Sequence, residues 1–174
     1  DMPAGPSEVL VMADESANPA FVAADLLSQA EHGADSQVVF VTDNQKMLDA
    51  VVEETKHQLE KLPRSSEAGM ALSHSVAILL KNIDEMVELS NAYAPEHLIL
   101  SVKHAAKVGE RIVNAGSVFL GNYTPESAGD YASGTNHTLP THGYARAYSG
   151  VNLDSYIRKI TFQEITPKGL QHLG

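Results

Sequence analysis

Residues 9–42 read VLVMADESANPAFVAADLLSQAEHGADSQVVFVT, and this stretch decides the fold. The apolar run at residues 9–13 predicts a short strand, and SQVVFVT at residues 36–42 predicts a second, buried one. Between them, Asn18 is a helix cap and Pro19 suits the first helical position, after which apolar residues recur at helical spacing. The order is therefore strand, helix, strand, the unit from which parallel sheets are built.

The same alternation continues along the chain. Asn44 is expected to cap a long amphipathic helix that ends by residues 63–66. Three further apolar runs predict strands and two periodic segments predict helices: strands at 75–80, 97–102 and 117–120, and helices at 82–93 and 103–115. Because the strands are apolar on both faces, we expect an α/β fold, a mostly parallel sheet with helices on both faces.

The pattern weakens after Tyr144. A short helix is expected at residues 152–159, followed by a strand-like ITFQEI run and a helical end that begins with a proline. We therefore divide the chain into an α/β domain over residues 1–150 and a small, extended C-terminal appendage over residues 151–174.

Composition excludes several classes of protein. A chain of 174 residues with 43% hydrophobic content can form one domain with a substantial core. Its formal net charge of −10 argues against nucleic acid or an anionic membrane as the partner. Without cysteine there is no disulfide or thiolate metal site, so a metal would need His, carboxylate or amide ligands.

The sequence also bears on location and extent. It contains no apolar run long enough to span a bilayer and no signal peptide, so we expect a soluble protein in the cytoplasm. The chain begins DMPAGP without an initiator methionine, which is typical of the inside of a longer protein.

A long segment, GNYTPESAGDYASGTNHTLPTHG at residues 121–143, shows neither helical nor strand periodicity. Long irregular segments in compact domains are usually functional or disordered. This one carries Asp130 and His137 among small polar residues, so by itself it fits a solvated surface loop as well as a binding site. Because it follows a predicted strand directly, and ligands of parallel sheets gather at the carboxyl ends of strands, a site at that edge is expected. Glu96 and His97 do not fit this rule, because they lie at the start of another predicted strand.

Two pairs of residues have spacings that suit chemistry. Gln29 and His32 lie three apart near the end of the first predicted helix, so they share a face and could bind one ion; alternatively, His32 complements the helix dipole. Glu96 and His97 are adjacent proton carriers; alternatively, they are a strand-edge Glu and a partly buried His with no chemical role. If they begin a strand, they point to opposite faces, and only a bend lets both reach one substrate. Asp130 could be a hard anionic metal ligand or cap its own turn.

Five segments, taken in order, resemble the histidinol dehydrogenases: DMPAGPSEVLV, DLLSQAEHG, NAYAPEHLIL, AGSVFLGNYTPESAGDYASGTNHTLPT and the ITFQEIT region. The resemblance implies the family's fold, in which incomplete Rossmann-like units lack the usual dinucleotide fingerprint. That would account for the absence of any GxGxxG motif here. Residues 1–150 would then be part of one such unit, and residues 151–174 the start of the dimerisation tail.

The resemblance also implies an activity. The family oxidises L-histidinol through L-histidinal to L-histidine, the last step of histidine biosynthesis, as a zinc-dependent homodimer that consumes two NAD+. The positions that match its zinc ligands are Gln29, His32 and Asp130. Zinc there would hold the imidazole and amino nitrogens of the substrate, so these three residues would also bind substrate.

Glu96 and His97 match the family's acid–base pair. His97 would take the proton from the histidinol hydroxyl, and Glu96 would activate water against the aldehyde. Ser7 and His137 match positions that contact the substrate. Among rival hypotheses, a zinc hydrolase could use the same metal, imidazole and carboxylate, and a non-enzymatic metal-binding or assembly module could use the metal alone.

The resemblance further implies what this chain lacks. The family's residues that contact NAD would precede Asp1, so no cofactor-binding residue is expected here. The tail that reaches into the partner subunit, bearing a further zinc-binding His and a substrate-binding Glu, would lie beyond Gly174. We therefore expect tail exchange in the homodimer of the full-length enzyme and no turnover by these 174 residues alone.

Overall fold

The computed structural model describes residues 3–174, which include all but the first two residues of the DMPAGPSEVLV motif. Five strands form one sheet: β1 (Glu8–Ala13), β2 (Gln37–Thr42), β3 (Val76–Leu79), β4 (His97–Ser101) and β5 (Ser117–Leu120). Seven α-helices accompany them: α1 (Pro19–Ala30), α2 (Gln45–Leu59), α3 (Ser65–Leu72), α4 (Ile83–Tyr93), α5 (Ala105–Gly109), α6 (Glu126–Tyr131) and α7 (Pro167–Leu173).

The sheet is parallel throughout, in the order β3-β2-β1-β4-β5. The central strand β1 pairs with both β2 and β4, so that Val9 is the register partner of Val38 on one side and of His97 on the other. This order matches the first five strands of a Rossmann sheet. The predicted α/β fold is therefore confirmed.

Helices cover both faces because successive side chains of a strand point to opposite sides. In β1, Val9 and Val11 pack with residues of α1, α2 and α3, whereas Leu10 and Met12 pack with residues of α4 and α5. All four side chains are fully buried. The apolar character of the strands on both faces follows from this double burial.

Three asparagine side chains cap the main helices, and those of Asn18 and Asn44 confirm the predicted caps. Each one accepts a hydrogen bond from a backbone N–H in the first turn of its helix: Asn18 from Ala20, Asn44 from Met47, and Asn82 from Glu85. These caps satisfy donors that a helix leaves unpaired at its start, and they place α1, α2 and α4 where the sequence predicts them.

One helix was missed in the sequence, and another was predicted too long. The sequence pattern did not indicate α3, which is short and contains Gly69. The predicted helix at residues 103–115 is only the five-residue α5. The side chain of Asn91 accepts hydrogen bonds from the backbone N–H groups of Val113 and Asn114, so tertiary bonds replace the helical ones there.

The C-terminal appendage is extended and almost wholly exposed from residue 152 onward. The helix predicted at 152–159 is a 3-10 turn at Leu153–Tyr156, and ITFQEI is not a strand because no described strand pairs with it. The proline-started helix is confirmed as α7. The domain boundary at residue 150 stays a prediction.

Among residues 3–174, no helix has the length and apolarity needed to cross a membrane.

Candidate active site

The candidate catalytic residues lie at the amino-terminal edge of the sheet, so the prediction of a site at the carboxyl edge was wrong. Glu8 begins β1 and His97 begins β4, the strand beside it. Helix α1 connects parallel β1 and β2, so its last residues return to this same edge. Gln29 and His32 therefore lie at the edge that carries Glu96 and His97.

The long segment at residues 121–143 is not wholly irregular, because it contains α6. It leaves β5 at the carboxyl edge and runs back along that strand. A Cβ on Gly129 would lie 2.8 Å from the Phe119 ring, and one on Gly116 would lie 3.2 Å from Leu139, so the segment packs closely along β5. This return path carries α6 to His97.

A bend lets Glu96 and His97 face each other. Ala94 ends α4 in the left-handed conformation, with φ 58°, and Glu96 lies in a bend before β4 begins. As a result, Oε2 of Glu96 lies 3.6 Å from Nδ1 of His97. The bend that the sequence required for a shared role is thus present, and both side chains are buried.

Glu8 orients this pair through its backbone. Its N–H donates to Oε2 of Glu96 at 2.9 Å, and its carbonyl lies 3.2 Å from Nδ1 of His97. Since a carbonyl can only accept, Nδ1 carries the hydrogen, and Nε2 keeps its lone pair. A neutral imidazole in this tautomer is suited to accept a proton at Nε2.

Burial sets the charge state of the pair. It lowers the pKa of His97 below its usual value and raises the pKa of Glu96 to about 8. Both shifts favour uncharged side chains near neutral pH. A buried carboxyl group with a raised pKa is also a stronger base once it is ionised, which is typical of residues that move protons.

Glu8 and Tyr93 lie next to the pair of Glu96 and His97, and the sequence did not predict either as a site residue. The Glu8 side chain is buried, and burial raises its pKa. The Tyr93 hydroxyl lies 3.2 Å from Oε2 of Glu8 and 2.8 Å from Oε1 of Gln37. The only signal in the sequence was a carboxylate at the start of an apolar strand, which is too common to single out Glu8.

A second acidic group faces His97 from α6. The side chains of Glu126 and Asp130, one helical turn apart, and His97 each offer a ligand atom, and these atoms lie within 4.8 Å of one another. Such a group could hold a metal ion. Glu126 is 3% exposed and was not predicted, although its spacing from Asp130 puts the two on one helix face.

The predicted ligands also fit a divalent ion such as zinc. Gln29 is 1% exposed, and its Oε1 has no hydrogen-bond partner, an arrangement that is costly unless something binds there. Nδ1 of His32 lies 2.7 Å from the carbonyl of Ser28, so Nε2 is left free as a ligand atom. Asp130 belongs to both the predicted set and the observed cluster. The full ligand assignment stays a prediction.

The two predicted substrate contacts differ in position. Ser7 directly precedes Glu8, and its carbonyl accepts the N–H of Gln37 at 3.1 Å, so it lies at the edge that carries the site. His137 is exposed, and no hydrogen bond joins it to other residues in the range 3–174. The structure does not bring His137 into the cluster, and both roles stay predictions.

Comparisons with known proteins show the family of this chain. The family model for histidinol dehydrogenase matches residues 1–174. The chain is 66% identical to a histidinol dehydrogenase from Bacteroides thetaiotaomicron and 59% identical to a chloroplastic one from Arabidopsis thaliana. Both alignments cover the whole of this chain, but they cover only 41% of the first protein and 38% of the second. The crystal structure of histidinol dehydrogenase from Elizabethkingia anophelis superposes with a TM-score of 0.92 at 61% identity, over 99% of this chain and 40% of that one. The chain thus spans about two fifths of the length of the relatives it matches, and it belongs to the histidinol dehydrogenase family.

Proposed function

We propose that this chain forms part of an enzyme that oxidises L-histidinol through L-histidinal to L-histidine with zinc and NAD. Family membership supports the reaction class. The observation that carries the proposal is the buried pair of Glu96 and His97, in which one residue keeps a free ring nitrogen and the other is a carboxyl group with a raised pKa.

His97 would act in the first oxidation. Its Nδ1 is held by the carbonyl of Glu8, so the ring presents Nε2 as the proton acceptor. Nε2 would take the proton of the substrate hydroxyl as the alcohol becomes an aldehyde. Because burial keeps the ring neutral, no proton has to leave Nε2 before the reaction begins.

Glu96 would act in the second oxidation. Its ionised carboxylate would take a proton from water, which attacks the aldehyde to give a hydrate whose oxidation yields the acid. Gln29, His32 and Asp130 would hold zinc, with Ser7 and His137 as further contacts to the substrate. When bound, zinc would hold the imidazole and amino nitrogens of histidinol, and NAD would accept the hydride in each step.

The homodimer with tail exchange is also a proposal, and the surface of the appendage supports it. Residues 153–173 expose a series of large apolar side chains: Leu153, Tyr156, Ile157, Ile160, Phe162, Ile165, Leu170 and Leu173. Such surfaces usually mark protein contacts. The cytoplasmic location stays a prediction; the Arabidopsis thaliana relative is named as chloroplastic.

A zinc hydrolase is the second candidate. The cluster of His97, Glu126 and Asp130 could hold the metal, and Glu96 could act as the base that activates a water molecule for hydrolysis. The test uses the zinc-loaded, full-length protein with histidinol and NAD. We expect about two NADH per histidinol consumed, one for each hydride removed. Hydrolysis without nicotinamide would support the rival, and a loaded protein that turns nothing over would support a non-enzymatic module. The isolated 174 residues should form no NADH.

A further inference from the structure

We propose that Glu126 is a positioning residue, whose carboxylate faces Nε2 of His97 from the side opposite Glu8, stabilises the ring once it is protonated, and fastens α6 to α1. Glu126 is not among the residues assigned by the family resemblance. The inference rests on the proposed dehydrogenase function, because it assigns to His97 the role of proton acceptor.

The two carboxylate oxygens of Glu126 face different elements. Oε2 accepts a hydrogen bond from the Ser28 hydroxyl at 3.1 Å, and Oε1 lies 3.8 Å from Nε2 of His97. Burying a carboxylate to 3% exposure is expensive unless other groups compensate it. The Ser28 hydroxyl is the donor that compensates it in the resting state, and the His97 ring becomes a second compensating group when Nε2 takes up a proton.

The bond to Ser28 joins the start of α6 to α1. Pro125 precedes α6 and makes no side-chain cap, whereas Glu126, the first residue of α6, accepts from Ser28 of α1. Ser28 directly precedes Gln29, and Asp130 follows Glu126 by one helical turn. The bond between Ser28 and Glu126 therefore brings Asp130 toward the predicted ligands of α1.

Polar groups face both nitrogens of the His97 ring. Nδ1 is bound by the carbonyl of Glu8, Nε2 faces Glu126, and the Phe119 ring lies against it at a centroid distance of 6.1 Å. The 3.8 Å gap is too long for a hydrogen bond, so Nε2 keeps its lone pair. After Nε2 takes the substrate proton, the carboxylate faces a cation instead, and this attraction favours the transfer.

An alternative role for Glu126 is direct metal binding, because it forms a cluster with His97 and Asp130. The geometry favours the positioning role, since the hydroxyl of Ser28 already occupies Oε2 and Oε1 faces the imidazole. The two roles predict different metal contents for a variant that lacks the charge.

The main experiment compares Glu126→Gln with wild type in the zinc-loaded, full-length enzyme. Glutamine keeps the size and can still accept from Ser28, but it loses the charge that faces Nε2. We expect kcat with histidinol to fall at least about tenfold, with KM within about threefold and zinc content unchanged. Ser28→Ala keeps the charge and should lose less than about fivefold. Glu110→Gln, an exposed control, should be unchanged.

Three outcomes would overturn the proposal. One is an unchanged kcat in Glu126→Gln. Another is loss of zinc with activity restored by excess zinc, which would make Glu126 a ligand. The third is an equal loss of kcat, apparent affinity and thermal stability, which would indicate a merely structural role.

A second measurement keeps this inference separate from the proposed function. Nitrogen NMR of the histidine rings reports the pH at which Nε2 of His97 takes up a proton, whether or not histidinol is turned over. We expect this uptake at a lower pH in Glu126→Gln than in wild type and Glu110→Gln, because glutamine removes the carboxylate that stabilises the protonated ring. Identical His97 signals in all three proteins would contradict the positioning role. Absence of NADH formation by wild type alone would refute only the dehydrogenase proposal.

Discussion

The backbone N–H of Glu8 donates a 2.9 Å hydrogen bond to the carboxylate of Glu96, which lies 88 residues further along the chain. The carbonyl of the same residue accepts from His97. Because Val9 and His97 are register partners, the pairing of β1 with β4 sets both distances. The acid–base pair is therefore a product of strand register, and substitutions that disturb this register should disturb the chemistry.

Glu96→Gln should separate the two oxidation steps. The amide oxygen can still accept the N–H of Glu8, but the side chain can no longer take a proton from water. We expect aldehyde oxidation by the full-length enzyme to fall about 10²-fold or more and alcohol oxidation less than about tenfold. Rates of NADH formation from histidinol and from histidinal measure this, and an equal loss in both steps would contradict the role of Glu96.

The stability of the metal-free protein should decrease with rising pH. Burial raises the pKa of Glu96 from 4.5 to about 8 and that of Asp25 from 3.8 to about 7, so folding favours their protonated forms. This contribution is fully present below the unfolded pKa values and is lost as the pH rises through the folded ones.

Urea unfolding at about pH 5 and about pH 9 measures this decrease. The Glu96→Gln variant, whose side chain at this position does not ionise, should lose less stability over that range than wild type. A variant with the same pH dependence as wild type would show that Glu96 does not contribute.

Gly116→Ala should damage both folding and activity. A Cβ at this position would lie 2.5 Å from the carbonyl oxygen of Glu96, which is backbone and cannot rotate away. We expect a loss of about 1–3 kcal/mol in the free energy of unfolding. The matched control is Gly69→Ala inside α3, where nothing lies within 4 Å and alanine should stabilise by up to about 1 kcal/mol. Similar changes in the free energy of unfolding for the two variants would show that the close contact between Gly116 and the Glu96 carbonyl does not matter.

Gln29→Met should weaken zinc binding without destabilising the metal-free protein. Oε1 of Gln29 is buried without a hydrogen-bond partner, so methionine removes an uncompensated polar atom and keeps the volume. We expect at least about tenfold weaker zinc binding in a competition assay with a chelator. Gln45→Met, on an exposed face of α2, is the control. Unchanged zinc affinity in Gln29→Met would remove Gln29 from the ligand set.

Local features made most of the fold predictable. Apolar runs and asparagine caps are each contained within a few residues, and they located all five strands and the starts of α1, α2 and α4. The errors came where tertiary contacts replace local ones. Asn91 ends the helical run after α5 by binding Val113, and ITFQEI has no described strand beside it.

The candidate site was predictable only in part. The adjacency of Glu96 and His97 and the shared helix face of Gln29 and His32 made them candidates, but only the family resemblance assigned their roles. Glu126 was missed because its partner His97 lies 29 residues away, and a single acidic residue in a polar segment carries no local signal.

The sequence by itself determined the alternation of strands and helices, the two burial faces and the family resemblance, because periodicity, capping and motif order are properties of neighbouring residues. Only the tertiary structure decided that α6, with Glu126 and Asp130, lies at the edge where β4 begins with His97. That position depends on the return of residues 121–143 along β5, where Gly129 packs on Phe119 and α1 binds Glu126. Such contacts join residues far apart in the chain, so local pattern does not specify them.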